Sequence, residues 1–223
     1  MRIAVAMFVL SPVLAALRAQ RPAPTLDTVV VVASRTGGAS GSRSVDVITR
    51  ADIAAAPART IADLLATSLG VDVYSRSAAQ ADVSMRGGTA DQVLILVDGI
   101  RVSDVQSSHY ATDLAVPLDD VERVEILRGM ASAVYGPGAV GGVINIVTRR
   151  GARDRSASLH GGSFGSVGGG MSGSLGSAFN AAADYDKSDG HRDGTDFRVG
   201  QARIGYTAPF AGGGLTTDAG FGV

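Results

Sequence analysis

Three segments near the end of this chain alternate with a period of two, and that alternation limits its fold more than any other feature. Over 179–186, Phe179, Ala181, Ala183 and Tyr185 fall on one face, with Asn180, Asp184 and Asp186 on the other. Over 198–208, Gly200, Ala202, Ile204, Tyr206 and Ala208 oppose Gln201, Arg203 and Thr207. Over 215–223, Leu215, Thr217, Ala219, Phe221 and Val223 oppose Thr216, Asp218, Gly220 and Gly222. Neighbouring side chains of a strand point to opposite faces, so each segment reads as a strand with one apolar face. Segments of about 10 residues with this pattern are the signature of strands that cross an outer membrane around a polar lumen. A soluble antiparallel sheet alternates in the same way, so the pattern alone leaves both open. Strands are expected at 155–164, 167–175, 179–187, 197–208 and 214–223. The smallest closed membrane barrel has about 8. The tail over 155–223 therefore reads as the first strands of an incomplete barrel, and 223 residues reads as the front part of a longer protein.

Composition agrees with this and removes other classes. Glycine makes up 30 of the 223 residues and tryptophan is absent, a bias that suits tight turns and closely approaching strands. With no cysteine, disulfides, zinc-thiolate sites and thiol catalysis are excluded. A net charge of -1 offers no basic field for nucleic acid. At the start, Arg2 is followed by a mostly apolar run from Ile3 to Leu17. That run is shorter than the roughly 20 residues a spanning helix needs. It has the length and flanks of a secretory signal peptide over 1–19, with small Ala19 before the cleavage point and Leu17 as the third residue back.

Residues 20–44 form a leader with Pro22, Pro24 and a Gly/Ser stretch, expected to be flexible. It contains Asp27, Thr28, Val29, Val30, Val31, Val32 and Ala33, a β-branched run with no turn residue. Such a run suits addition to the edge of a partner's sheet, and equally an ordinary first strand. Residues 45–150 read as a small α+β domain. Thr60 and Asp63 start a helix as a capping box, with Ile61, Leu64, Leu65 and Leu69 at helical spacing before Gly70. Val93 to Val97 is a continuous apolar run closed by Asp98 and Gly99, a strand buried on both faces followed by a turn. Pro117 opens a short helical turn before a strand over 124–127, and 143–148 is a further strand.

Five pieces of this domain and its leader stand in one order: DTVVVVA at 27–33, TIADLLATSLGVDV at 60–73, MRG at 85–87, VLILVDGI at 93–100 and DDVERVEILRGMASAVYGPGAVGGVINIVT at 119–148. Together they resemble the plug domain of TonB-dependent outer-membrane receptors, nearest to the cobalamin group. The resemblance implies an α+β plug domain followed by the first antiparallel strands of a transmembrane β-barrel. It also implies an outer-membrane location, energy-coupled uptake of a scarce ligand such as cobalamin or a ferric siderophore, no catalysis and no required cofactor. It makes 27–33 the TonB box, the handle for the periplasmic protein TonB. Arg86 and Arg128, each before a glycine, would point at acids on the barrel wall, on strands beyond Val223, where a guanidinium fork holds a carboxylate in two places. The family commonly has proline where this chain has Met130, which leaves that turn less rigid.

Plug loops over 75–82 and 103–113 are the ligand-facing parts under this reading, with Arg76, Gln80, His109 and Tyr110 offering polar and aromatic contacts. A loop over 186–196 would lie outside the cell. Its Asp186, Asp189, Asp193 and Asp196 are hard oxygen ligands of the kind that hold calcium, as cobalamin receptors do in this region; a solvated acidic loop presents the same residues. A periplasmic binding module that docks without transporting anything is the alternative function. Two enzyme-like patterns carry little. Gly168, Gly170 and Gly173 satisfy G-x-G-x-x-G with no helix expected after them, and 161–165 satisfies G-x-S-x-G where a glycine-rich hairpin is expected.

Overall fold

Two threonines eleven residues apart start the helical part of the structure. The computed structural model describes residues 45–77, 80–102, 114–150, 155–176, 178–210 and 213–222. Thr49 caps α1 (Arg50–Ala55) with Asp52, and Thr60 caps α2 (Ile61–Ala66) with Asp63; both form reciprocal capping boxes that satisfy otherwise unpaired amides. Helix α1 is not anticipated from the sequence, because six residues show less than two turns of periodicity. Helix α2 ends earlier than its spacing suggests. The Thr67 hydroxyl donates to the Leu64 carbonyl at 2.6 Å, Gly70 turns with a φ of +73°, and Leu69 is left 86% exposed rather than joining the apolar face.

Among the described residues seven short strands belong to this domain: β1 (Val45–Ile48), β2 (Val71–Ser77), β3 (Gln80–Met85), β4 (Val93–Val97), β5 (Ile100–Arg101), β6 (Val121–Arg128) and β7 (Gly142–Thr148). Five of them make a sheet in the order β1-β6-β7-β4-β5, with β4 and β7 parallel, while β2 and β3 form a separate antiparallel ribbon. One face of the sheet packs Ile95, Val124, Ile126, Ile144 and Ile146 against Leu64 and Leu65 of α2 and Met85 of the ribbon. The other face buries Leu94, Leu96, Leu127 and Val143 under the segment around α3 (Ser132–Tyr135), with Ala131 and Ala139. Burial on both sides explains why β4 reads as an unbroken apolar run. Gly142 is required where β6 and β7 meet the ribbon: a Cβ there would lie 2.6 Å from the Leu127 carbonyl oxygen. Buried Glu125 is matched within the sheet, accepting from Arg123 Nε at 2.8 Å and Asn145 Nδ2 at 3.0 Å.

The tail is a five-stranded antiparallel meander, β8 (Ser156–Gly161), β9 (Val167–Leu175), β10 (Phe179–Ser188), β11 (Phe197–Phe210) and β12 (Gly213–Gly222), each paired with its sequence neighbour. Its burial runs opposite to that of a soluble sheet. Leu159, Met171, Leu175, Ile204 and Phe221 are exposed, whereas Asn180 is buried and Ser172 and Arg203 are buried against the plug-like domain. Water cannot favour such a face; hydrocarbon can. Phe179 and Tyr206 bring their rings within 4.6 Å, tilted to one another, across β10 and β11 on this outward face. Among the described residues no helix is long and apolar enough to cross a membrane.

Both enzyme-like glycine patterns dissolve into this sheet. Gly168, Gly170 and Gly173 lie within β9, and 162–166 is the β8–β9 hairpin. The β9 glycines admit neighbours: a Cβ on Gly170 would lie 2.6 Å from an Asp119 carboxylate oxygen. Replacing fully buried Leu65 by alanine is expected to cost about 2–5 kcal/mol, read as a lower denaturant midpoint for the plug-like domain in equilibrium unfolding.

Candidate functional site

The contact between domain and wall gathers around the hairpin turn between β4 and β5. Asp98 and Gly99 take φ values of 52° and 80°, the paired left-handed conformations of a two-residue turn. This aims the Asp98 carboxylate across the sheet, where Oδ1 accepts the Thr148 amide at 2.9 Å and Oδ2 accepts the Thr148 hydroxyl at 2.6 Å. A second carboxylate comes from the 3₁₀ turn Leu118–Asp120, which leads directly into β6. Between them lies Arg203 of β11, whose side chain is 4% exposed. Its Nη1 donates to Asp120 Oδ2 at 2.6 Å and its Nη2 to Asp98 Oδ2 at 3.0 Å. Asp218 of β12 lies 2.8 Å from the same Nη2, and Arg150 approaches Asp98 at 3.2 Å.

Neighbouring groups extend the contact along the 3₁₀ turn. The Ser158 hydroxyl of β8 donates to Asp119 Oδ2 at 2.6 Å, and Ser172 of β9 donates to the Asp119 carbonyl at 2.9 Å. Arg149, at the end of β7, donates to Ser172 at 2.9 Å. Strands β8, β9 and β11 are thereby fastened to one short segment by ionic and hydrogen-bonded contacts rather than by apolar packing. Such polar contacts can be exchanged for water without exposing apolar surface. Burial pushes the Asp120 carboxyl above its ordinary value, while the hydrogen bond and charge of Arg203 pull partly the other way.

The expected site residues are distributed unevenly. Arg128 is paired with Asp46 of β1, inside its own sheet, and not with any of the five wall strands. Arg86 turns with a φ of 56° and lies over Gly129, with Nη1 3.0 Å from where a Cβ would stand. Between the plug and the described wall strands, the wall supplies the Arg203 guanidinium and the plug two of its acids, while the acids expected to face Arg86 and Arg128 would lie on strands beyond residue 223. Arg76 lies in β2 and Gln80 opens β3, so both stand on strands of the ribbon. Gln80 lines a cavity of about 150 Å³ with Ser75, Leu114 and, from the wall, Asp184, Asp186 and Gln201. His109, Tyr110 and the 27–33 run lie outside the described residues, as do the signal peptide and the leader.

The acidic loop is shorter than expected, because β10 continues to Ser188. Asp186 is therefore a strand residue that meets the His160 Nε2 of β8 at 2.5 Å, apart from the other three acids. Asp189, Asp193 and Asp196 border one shallow groove, but among the described residues no three acidic or histidine groups converge as a metal site would require. The sequence reading missed Asp98, Asp119, Asp120 and Arg203 as a unit. The available signals were an Asp-Gly turn, a doubled aspartate before a strand and an arginine on the polar face of an alternating segment.

Comparison with known proteins agrees with this geometry. Residues 39–143 match the TonB-dependent receptor plug domain. The vitamin B12 transporter of Vibrio cholerae is 37% identical over 141 residues, which is 61% of this chain and 23% of that protein. The vitamin B12 transporter of Photobacterium profundum is 36% identical over 137 residues. The chain spans under a quarter of the length of these relatives. The ferric enterobactin receptor of Pseudomonas aeruginosa, solved with enterobactin, superposes with a TM-score of 0.61 at 25% identity, over 82% of this chain and 33% of that one. The siderophore receptor PirA of the same organism gives 0.60 at 28% identity, over 82% and 36%. The chain carries a TonB-dependent receptor plug domain followed by the first antiparallel strands of an unclosed barrel.

The raised Asp120 carboxyl sets a pH dependence for the closed contact. A group whose pKa is higher in the folded state stabilises that state fully below its unfolded value, here 3.8, and loses the contribution as pH rises through the raised value. Thermal unfolding of the folded protein is expected to lose this increment across that window, and Asp120→Asn is expected to flatten the profile there.

Proposed function

We propose that this chain is the amino-terminal part of an outer-membrane receptor that takes up a scarce ligand when TonB pulls on residues 27–33. Arg203 carries this reading: a buried wall arginine that grips two plug carboxylates suits a gate that is firmly closed yet releasable through polar contacts. The outward apolar face of β8–β12 supports placement in the outer membrane and counts against a periplasmic module that merely docks. The 1–19 segment would direct export. In this reading the plug blocks the lumen, ligand binding outside engages the end near Gln80, and tension on the 27–33 handle draws the plug away from the wall.

A cobalamin is the cargo we infer, because the relatives at 36–37% identity are vitamin B12 transporters. A ferric siderophore is the second reading, favoured by the likeness to PirA and the enterobactin receptor. Cells carrying the intact receptor as their sole cobalamin route are expected to accumulate labelled cyanocobalamin. Deleting 27–33 is expected to abolish accumulation while leaving surface binding intact, because the handle touches TonB and not the ligand. Uptake of ferric enterobactin with no cyanocobalamin uptake selects the siderophore, and uptake that survives the deletion contradicts coupling through this segment.

A further inference from the structure

We propose that Asp218 is a positioning residue that keeps Arg203 paired when the plug leaves, and so sets how readily the plug is released. This rests on the transport reading above. Three carboxylates converge on the Arg203 guanidinium, and they belong to two different bodies. Asp98 and Asp120 travel with the plug; Asp218, 2.8 Å from Nη2, stays with the wall. The plug acids are nearly enclosed at 5% and 2% side-chain exposure, whereas Asp218 is 27% exposed and already in touch with water.

The wall is shaped for this arrangement. In the β11–β12 register Arg203 stands opposite Gly220 and Asp218 opposite Gly205, so the two charges meet along the diagonal of the inward face. A Cβ on Gly205 would lie 2.6 Å from Asp218 Oδ1, so the absent side chain leaves room for the carboxylate. A Cβ on Gly220 would lie 3.0 Å from the Ala115 carbonyl oxygen, so the second glycine lets the plug backbone close over the pair.

Charge arithmetic then gives Asp218 a direction. With the plug in place, Asp218 repels Asp98 and Asp120 and shares the guanidinium edge that Asp98 also uses, which weakens the closed contact. With the plug withdrawn, it spares Arg203 from standing in the lumen without a counter-charge. Both effects favour opening. An ordinary structural ion pair predicts the reverse, because removing it would loosen the closed state.

The test is the rate of plug release from the intact receptor in a lipid bilayer, pulled from the N-terminal side of β1 at constant force. Asp218→Asn is expected to slow release about tenfold, and Asp218→Glu to restore it. In an Arg203→Gln background, Asp218→Asn is expected to change the rate less than about twofold, since the partner is gone. Release that is unchanged or faster in Asp218→Asn overturns the proposal, as does an equal slowing in both backgrounds. The readout needs no ligand and no TonB, so failed uptake by the unaltered receptor would count against the transport reading and leave this result standing.

Discussion

A guanidinium out of contact with water must have carboxylates, and that requirement ties the two halves of this structure together. Arg203 belongs to the fourth strand of the wall, and its partners Asp98 and Asp120 sit on two turns of the plug. Stripping a buried charge of its partner typically costs about 3–5 kcal/mol. The Asp-Gly turn after β4, the 3₁₀ turn before β6 and the register of β11 against β12 therefore have to agree with one another. Thr148 fixes Asp98 from β7, so the plug's central strand is also drawn into the arrangement.

The same constraint explains the inverted wall. Its inward residues are polar because they meet turns, hydroxyls and carboxylates of the plug: Ser158 and Ser172 on the Asp119 segment, Arg203 on the acids. Its outward residues are apolar and exposed. Within the plug the logic is the ordinary one, with a sheet buried on both faces and the Glu125 carboxylate inside it matched by Arg123 and Asn145. A firm apolar core beside a polar outer contact gives a body that can move as a unit once its surface contacts are exchanged.

Local periodicity made the strands legible. The five wall strands stand within a few residues of where they are expected, and β4 where an unbroken apolar run puts it. Thr60 with Asp63 announced α2 through chemistry confined to four residues. What was not legible depends on distance along the chain. The Arg203 to Asp98 bond joins residues 105 apart and the Arg128 to Asp46 pair joins residues 82 apart, so no local pattern selects either partner. In sequence Arg128 shows only an arginine before a glycine, and Arg203 only one polar position in an alternating strand. Leu69 fitted the helical spacing, but Gly70 and the Thr67 cap ended α2 a turn earlier.

The central claim is that the wall turns its apolar face to lipid and its polar face to the plug. Residues 1–223 have no cysteine to remove, so single nitroxide labels can be placed on the receptor in bilayers, with any cysteine elsewhere in it replaced, at outward positions 171 and 204 and at inward positions 172 and 182. The account predicts that labels at 171 and 204 relax with oxygen and ignore a water-soluble nickel chelate, while those at 172 and 182 are shielded from oxygen and gain exposure to the chelate when the plug is withdrawn. Equal oxygen exposure on both faces, or chelate exposure at 171 and 204, would contradict it.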